Sequence, residues 1–170
     1  IDFKQNFAGY VSFKINAKKG QKITLRFGEM LDDNGELTLK NIQCSNKKIT
    51  TPLQTIEYTC KDGVNEYKPN FAIFGFTYME IDTDIEVSAD DFTAIAVYSD
   101  MEETGFFESS NELLNKFVTA TKWSTKSNST DLPTDCPTRE RHGWTGDAQI
   151  FFNTAAYLFD YATFSEKYIR

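Results

Sequence analysis

The apolar residues of this chain repeat with two different periods, and the change between them falls near Asp100. Before that residue, apolar and polar side chains alternate, which is the pattern of half-buried β-strands. After it, apolar residues recur three and four positions apart, which is the pattern of amphipathic helices. Because a period of two cannot line one face of a helix, the chain is constrained to a β part followed by a helical part.

Turn signals divide the first part into many strands without an intervening helix. Glycine-containing turns are expected at residues 18–21, 33–35 and 61–63, and an aromatic run at 71–81 is predicted to be a central strand with a bulge or a close backbone approach at Gly75. The alternating runs are Val11, Phe13 and Ile15; Ile23, Leu25 and Phe27; and Thr93, Ile95 and Val97. This organisation predicts an antiparallel β-sandwich over residues 1–103.

Two features of the β part leave alternatives open. A calcium loop could be suggested by Asp32, Asp33, Asn34 and Glu36, but the glycine comes too early for that spacing. A hairpin turn at Asn34 and Gly35 is therefore favoured. The chain has three cysteines, which form neither a disulfide framework nor a zinc motif. Cys44 and Cys60 could pair, and their spacing does not decide the question.

The second part, residues 104–170, predicts two or three helices. Ser109 stands three residues before Glu112, which predicts a capping box and a helix ending near Ser124, with Trp123 in the core. A second helix is expected from Gly146, and the chain ends inside a third. The apolar stripe of the second helix comprises Ile150, Phe151, Ala155, Leu158 and Phe159. Such wide stripes are the beginning of a larger helical domain, and left uncovered they predict self-association into a homo-oligomer.

Composition excludes several partners. The net charge of −7 argues against nucleic acid and against a polybasic membrane contact, and no apolar run is long enough to span a bilayer. The chain begins at Ile1 rather than Met, so a piece of a longer protein is expected and the compartment stays open between cytoplasm, periplasm and secretion. The triplet at 128–130 fits an N-glycosylation acceptor, which matters only in a secretory pathway.

The segment DCPTRERHGWTGDAQ, residues 135–149, concentrates the candidate chemistry. Its proline and glycines prevent one regular helix, so a folded-back loop could gather Asp135, Glu140 and Asp147 around a small polar ligand. Trp144 offers an apolar face, and Arg139 offers donors. Carboxylates, an arginine and an aromatic wall suit a pyranose, and a protonated glutamate could act as general acid on a glycosidic oxygen.

A plainer interpretation also fits the spacing, because charged loops are usually solvated or ion-paired surface. On the same grounds His142 is expected to be exposed or structural. Cys136, which precedes a proline and has no obvious base nearby, is expected to be a small buried side chain rather than a nucleophile.

The segment at 135–149 resembles the start of the catalytic domain of bacterial α-L-rhamnosidases, glycoside hydrolase family 78. FGEMLDDNGEL and YKPNFAIFGFTYMEI, at residues 27–37 and 67–81, resemble the β-domain of that family, and FFESSNELLN at 106–115 resembles the entry to its first catalytic helix. The resemblance covers nearly the whole chain, in the same order of segments. It implies a β-sandwich followed by the first helices of an incomplete (α/α)6 barrel.

The resemblance further implies inverting hydrolysis of terminal α-L-rhamnose from a glycoside or polysaccharide, with no cofactor and no metal. By position, Glu140 matches the general acid, and Trp144 matches an aromatic residue that contacts the sugar. Asp135, Arg139 and Asp147 match groups that bind rhamnose hydroxyls. The family's general base lies downstream of this chain, so the chain alone is expected to be inactive.

Two other functions stay open at this point. One is a carbohydrate-binding module, which residues 1–103 expressed alone would reveal by binding glycans. The other is a helical-barrel glycosidase acting on a different sugar, which a panel of aryl glycosides would reveal.

Overall fold

The computed structural model describes residues 1–42 and 53–170, which form two compact units, residues 1–96 and 97–170. The described strands of the first unit are β1 (Asp2–Ala17), β2 (Lys22–Gly28), β3 (Met30–Leu31), β4 (Leu37–Thr38), β5 (Thr55–Thr59), β6 (Gly63–Tyr67), β7 (Phe74–Thr83) and β8 (Phe92–Ala96). Short 3-10 turns lie at Lys40–Ile42 and Ala89–Asp91. The helices of the second unit are α1 (Glu112–Ser127), α2 (Thr145–Leu158) and α3 (Ala162–Ile169).

Six strands join in one antiparallel sheet, in the order β5-β2-β7-β1-β6 with β8 also paired to β1. The length of β1 allows it to serve three neighbours, because Gly9 pairs with both Phe74 and Ala96 while Phe13 pairs with both Tyr67 and Phe92. The strands β3 and β4 form a separate hairpin. The prediction of an antiparallel β-domain followed by helices is therefore confirmed.

The alternation of apolar residues sets the buried face of the sheet. The predicted inward residues of β1 and β2 are all buried, and Val11, Ile23 and Leu25 are fully so. Aromatic rings fill much of the space between strands: Phe27 stacks on Phe74 with ring centroids 4.9 Å apart. Burial of one face of each strand is the main stabilisation expected for such a sheet.

Two strands differ from the sequence prediction. In β8, Phe92 is buried and Thr93 is exposed, so the inward face is not the predicted one that begins at Thr93. The central strand β7 begins at Phe74, and Phe71 is 96% exposed. Burial distinguishes the two faces of β8 only at Phe92 and Thr93, because Ala94, Ile95 and Ala96 are all half-buried.

Gly75 lies in a regularly paired part of β7, not at a bulge, and it contacts the side chain of Gln54. Its register with Ala8 is continuous with the pairs on either side. The side-chain amide of Gln54 donates to the Gly75 carbonyl oxygen and accepts from the Gly75 N–H, both at 2.9 Å. The bulge alternative is therefore wrong, and the register shift of this region lies in β1 between Asp2 and Phe7.

The three predicted turns each contain a glycine with positive φ: Gly20, Gly35 and Gly63. At the second turn, Oδ1 of Asp32 accepts hydrogen bonds from the N–H groups of Asn34 (2.9 Å) and Glu36 (3.0 Å). The carboxylate thus organises the hairpin between β3 and β4, as the turn interpretation predicted. Cys60 is buried. Cys44 lies outside the described residues, so the structure does not test whether the two cysteines pair.

The first helix starts differently from the predicted capping box. Its N-cap is Asn111, whose side chain accepts from the N–H groups of Leu113 and Leu114. Ser109 lies before the helix and hydrogen-bonds to the backbone of Asn111. The capping box of Ser109 and Glu112 is therefore wrong, because Glu112 is the first helical residue rather than the third. The helix ends at Ser127, three residues beyond the predicted end.

A small apolar core holds α2 and α3 against the segment that precedes α1. It consists of Met101, Ala155, Phe159, Tyr161 and Phe164, with Phe151, Phe152 and Leu158 packed beside it. The N–H groups of Thr104 and Gly105 both donate to the Leu158 carbonyl oxygen at 3.0 Å, so the preceding segment closes the C-terminal end of α2.

Several large apolar side chains of the helices are exposed. On α1, Leu113 is 74% and Phe117 68% exposed, and on α2 Ile150 is 80% and Tyr157 82% exposed. Trp123 was predicted to be core, but it is only half-buried, with Nζ of Lys126 5.3 Å from its ring. None of the helices in the described ranges is long and apolar enough to cross a bilayer.

Candidate functional site

A cavity of about 660 Å³ lies within the second unit, between the end of α1 and the beginnings of α2 and α3. Its lining includes the carboxylates of Asp135 and Asp147, the amide of Asn128, and the rings of Phe151 and Tyr161. This volume falls in the range of roughly 300–1,000 Å³ that is usual for small-molecule sites. Apolar rings with a few polar groups are also the usual lining of such a site.

Asp147 is placed at the cavity by the start of α2. The helix begins at Thr145 after the N-cap residue Trp144, whose side chain makes no capping hydrogen bond. Ala148 is buried and anchors the first turn, while Asp147 is exposed beside it. A carboxylate in the first turn of a helix is favoured by the partial positive charge of the helix N-terminus. The predicted start at Gly146 is one residue from the observed one.

Asp135 closes the loop that precedes α2. Its N–H donates to the His142 carbonyl oxygen (3.1 Å), and its Oδ1 accepts from the His142 N–H (3.0 Å). Between them Arg141 has a positive φ of 55°, which turns the chain back. The backbone and the carboxylate of Asp135 thus hold the two ends of the loop together.

The environment of Asp135 favours its charged form. Burial raises the pKa of this carboxyl group, but hydrogen bonds from the His142 backbone, the Cys136 thiol and the loop backbone outweigh that effect and hold the pKa below its ordinary value. Asp135 is therefore a hydrogen-bond acceptor rather than a proton donor near neutral pH.

The carboxylate of Glu140 has two side-chain partners. Its Oε1 lies 3.5 Å from Nη2 of Arg139, and its Oε2 accepts from Nε1 of Trp144 at 3.1 Å. The backbone N–H of Glu140 donates to Sγ of Cys136 at 3.2 Å. Cys136, predicted to be buried, is only half-buried, and it acts as an acceptor that holds the backbone of Glu140.

The five candidate residues fall into two groups. Asp135 and Asp147 line the cavity, whereas Glu140 contacts both Arg139 and Trp144, and these three are not part of its lining. The structure thus brings two of the three carboxylates to one cavity and places the third in a separate cluster on the same loop.

His142 and Tyr161 are two residues of this region to which the sequence analysis gave no role. The ring of His142 stacks on Trp144, with centroids 5.7 Å apart and an interplanar angle of 24°. The Tyr161 hydroxyl is buried at the cavity, 2.8 Å from Oγ of Ser129. Burial raises the pKa of Tyr161, and the hydrogen bond to Ser129 opposes that rise. In the sequence, a tyrosine that follows an apolar helix looks like an ordinary core residue. Only its position at the cavity in the structure marks Tyr161 as a candidate site residue.

The described residues contain no group of three or more His, Cys, Asp or Glu side chains arranged to hold a metal ion. The loop offers hydrogen-bond donors and acceptors, charged groups and carboxyl groups that can transfer protons.

Two family models match the chain. The model described as the bacterial alpha-L-rhamnosidase concanavalin-like domain matches residues 1–98, and the one described as the bacterial alpha-L-rhamnosidase 6 hairpin glycosidase domain matches residues 102–170. Together they span nearly the whole chain.

Curated and solved proteins agree with this match. An alpha-L-rhamnosidase of Formosa agariphila is 36% identical over 172 residues, which is all of this chain and 18% of the relative's length. The solved alpha-L-rhamnosidase of Dictyoglumus thermophilum is 35% identical with a TM-score of 0.88, over 98% of this chain and 19% of that one. The Streptomyces avermitilis enzyme, solved in complex with L-rhamnose, is 32% identical with a TM-score of 0.89, over 98% of this chain and 16% of that one.

Proposed function

This chain belongs to the bacterial α-L-rhamnosidase family, and we propose that the longer protein containing it removes terminal α-L-rhamnose from a glycoside or polysaccharide by inverting hydrolysis. The chain spans less than a fifth of the length of the relatives compared above, so the proposal concerns the whole protein. The observation that carries it is the loop at 135–149, which places Glu140 against Arg139 and Trp144 and places Asp135 at the neighbouring cavity.

Glu140 is proposed as the general acid. In its protonated form it gives its proton to the glycosidic oxygen while the bond from that oxygen to the anomeric carbon breaks. A water molecule forms the new bond to the anomeric carbon from the opposite face and loses a proton to a second carboxylate. Inverting enzymes hold the two carboxyl groups roughly 6.5–9.5 Å apart to leave room for that water.

Asp135, Arg139 and Asp147 are proposed to bind the rhamnose hydroxyls, and Trp144 to contact the sugar through its apolar face. The lowered pKa of Asp135 supports its proposed role in binding sugar hydroxyls, because an ionised carboxylate accepts hydrogen bonds from hydroxyl groups and donates none. Asp135 already accepts a hydrogen bond from the His142 N–H, and it is proposed to accept one from a rhamnose hydroxyl as well.

The general base is proposed to lie outside this chain. Asp135 and Asp147 are the carboxylates at the cavity, and both are assigned to sugar binding. The 170-residue chain is therefore proposed to be inactive on its own.

The proposed architecture is a β-sandwich over residues 1–103 followed, over residues 104–170, by the first helices of an (α/α)6 barrel. The ranges of the two family models and the exposed apolar residues of α1 and α2 support it. Helices with such faces are stable when further helices cover them. In their absence the faces support self-association of the isolated chain.

The test compares the full-length protein with the 170-residue chain on an alkyl or flavonoid α-L-rhamnoside, whose poor leaving group needs acid assistance. An active full-length protein and an inactive chain are expected. An inactive full-length protein would overturn the rhamnosidase proposal and lead to a panel of other glycosides. Activity of the short chain would mean that Asp135 or Asp147 is the base. The anomeric configuration of the first product, followed by NMR, decides between inversion and retention.

A further inference from the structure

We infer that His142 is a positioning residue for the proposed general acid, an inference that rests on the proposed function. His142 contacts three of the five candidate residues: Asp135, Glu140 and Trp144. Cys136 also hydrogen-bonds to both Asp135 and Glu140, and His142 adds to this link a contact with Trp144.

The backbone and the side chain of His142 have separate contacts. Its N–H and carbonyl oxygen bond Asp135 and close the loop, and neither of these bonds involves the side chain at 142. The imidazole makes different contacts, to Glu140 and Trp144. Substitution at this position therefore leaves loop closure in place and removes only the contacts directed at the acid.

The imidazole holds Glu140 at two points. Nδ1 lies 2.6 Å from the Glu140 carbonyl oxygen, and because a carbonyl oxygen only accepts, Nδ1 is the donor. The ring also stacks on the indole of Trp144, whose Nε1 donates to Oε2 of Glu140. One contact thus fixes the backbone of the acid, and the other fixes the partner of its carboxyl group.

This support matters because a glutamate side chain is flexible. A general acid acts only when its proton lies within hydrogen-bond reach of the leaving oxygen, and ordering a free glutamate costs rotamer entropy. His142 is itself exposed, so its ring contributes little to the apolar core of the unit. The ring contacts of His142 within the described chain therefore fix the positions of loop residues and add little to the stability of the whole unit.

The test uses three variants of the full-length protein. His142→Asn keeps a donor near the position of Nδ1 and lacks the ring. His142→Phe keeps a ring to stack on Trp144 and lacks the donor. His142→Ala lacks both. Each is assayed on an alkyl rhamnoside, whose departure needs a proton, and on 4-nitrophenyl rhamnoside, whose leaving group departs with little acid assistance.

A positioning role predicts a selective loss. His142→Ala should lower kcat on the alkyl substrate by roughly tenfold to a hundredfold, the scale of a misplaced catalytic group, with KM near that of the wild type. Activity on the nitrophenyl substrate should fall by no more than about threefold, because general acid catalysis contributes little there. His142→Asn and His142→Phe should each restore part of the loss.

Other outcomes overturn the inference. Unchanged kinetics on both substrates would show that the imidazole does not position Glu140. An equal loss on both substrates, with a lower melting temperature, would show a purely structural role. A wild-type protein that hydrolyses neither rhamnoside would instead refute the proposed function, and the inference would fall with it.

Discussion

Nε1 of Trp144 donates a hydrogen bond to Oε2 of Glu140 at 3.1 Å, so the aromatic residue of the loop is a polar partner of the proposed acid as well as an apolar surface. One face of the same indole is covered by His142. The opposite face of the indole is therefore the surface that we propose for the sugar contact. Tryptophan is suited to both parts, because it combines a large apolar ring with a single donor.

Substitution of Trp144 by Phe separates these two parts. The change keeps an aromatic face and removes the donor to Glu140, so we expect kcat on an alkyl rhamnoside to fall by about tenfold, as for loss of about one hydrogen bond to a charged group. KM should change little. Steady-state kinetics of the full-length protein measures both, and a large rise in KM with unchanged kcat would contradict the assignment of the donor to catalysis.

Glu140→Gln should lose most turnover on a poor leaving group while folding normally. The amide keeps the size of the side chain but cannot give the proton, and general acids contribute on the order of 10²–10⁴ in rate. The expected control is a near-normal melting temperature, since Glu140 is on an exposed loop segment with its side chain 34% accessible. Full activity of this variant on an alkyl rhamnoside would refute the role of Glu140.

Asp135→Asn tests the charge of the loop closure. The pKa of Asp135 is lower in the folded protein than in an unfolded chain, where an aspartate titrates near about 3.9. The charge therefore stabilises the fold above that unfolded value, and the stabilisation is lost as the pH falls through the lower, folded pKa.

The expected result is a lower melting temperature for Asp135→Asn at neutral pH and a difference from wild type that narrows as the pH falls below about 4. Asparagine keeps an oxygen that can accept from the His142 N–H, so this hydrogen bond is retained when the charge is removed. A difference that stays constant between pH 7 and pH 3, or grows on acidification, would contradict the direction of the pKa shift.

Asn128→Ala should remove two hydrogen bonds from the lining of the cavity and so reduce the affinity of the full-length protein for rhamnose. The Asn128 side chain donates to the Ser124 carbonyl oxygen (3.0 Å) and accepts from Oγ1 of Thr134 (3.2 Å), the residue before Asp135. Loss of these two bonds, each worth about 1 kcal/mol, should raise the inhibition constant for rhamnose by up to roughly thirtyfold.

Thr130→Ala is the matched control for that change. It destroys the same glycosylation triplet, and its backbone carbonyl can still accept from Oγ of Ser99. We expect rhamnose inhibition close to that of the wild type. Equal effects of the two substitutions would show that the Asn128 side chain does not shape the site.

Gly105→Ala should destabilise the helical unit. A Cβ at this position would lie 1.9 Å from the Tyr157 carbonyl oxygen and 2.7 Å from Cα of Leu158, and backbone atoms cannot move aside cheaply. We expect a loss of roughly 1–3 kcal/mol, the usual cost of overpacking. Gly146→Ala is the comparison, since nothing lies within 4 Å of its added Cβ and alanine favours the helix by about 1 kcal/mol. Thermal unfolding should shift in opposite directions, and parallel shifts would contradict the steric argument.

Much of the β-domain could be predicted from its alternation, because one buried face per strand imposes a period of two on the residues. The same rule did not identify the phase of β8, where small residues suit either face. It also did not identify the start of α1, because Ser109 and Asn111 are both good caps and only the folded backbone selects Asn111.

The site could be predicted in its residues but not in its arrangement. Residue types and spacing marked Asp135, Glu140 and Asp147 as candidate carboxylates, and the family resemblance suggested their roles. The spacing does not show that Glu140 contacts Trp144 while Asp135 and Asp147 line a cavity. Nor does it reveal His142, whose contacts depend on a left-handed residue at Arg141 and on ring stacking.

The paired hydrogen bonds between Asp135 and His142 close the intervening chain into a loop. Its two ends are seven positions apart and are bonded to each other, so the backbone of Glu140 is positioned within the segment, while Trp144 just beyond it contacts the carboxyl group. An insertion inside it would separate the paired ends and misdirect the carboxyl group, whereas a change of chain length outside it need not. For enzyme engineering, the segment is therefore a unit to be transplanted whole and together with Trp144, so that the proposed acid keeps its contacts.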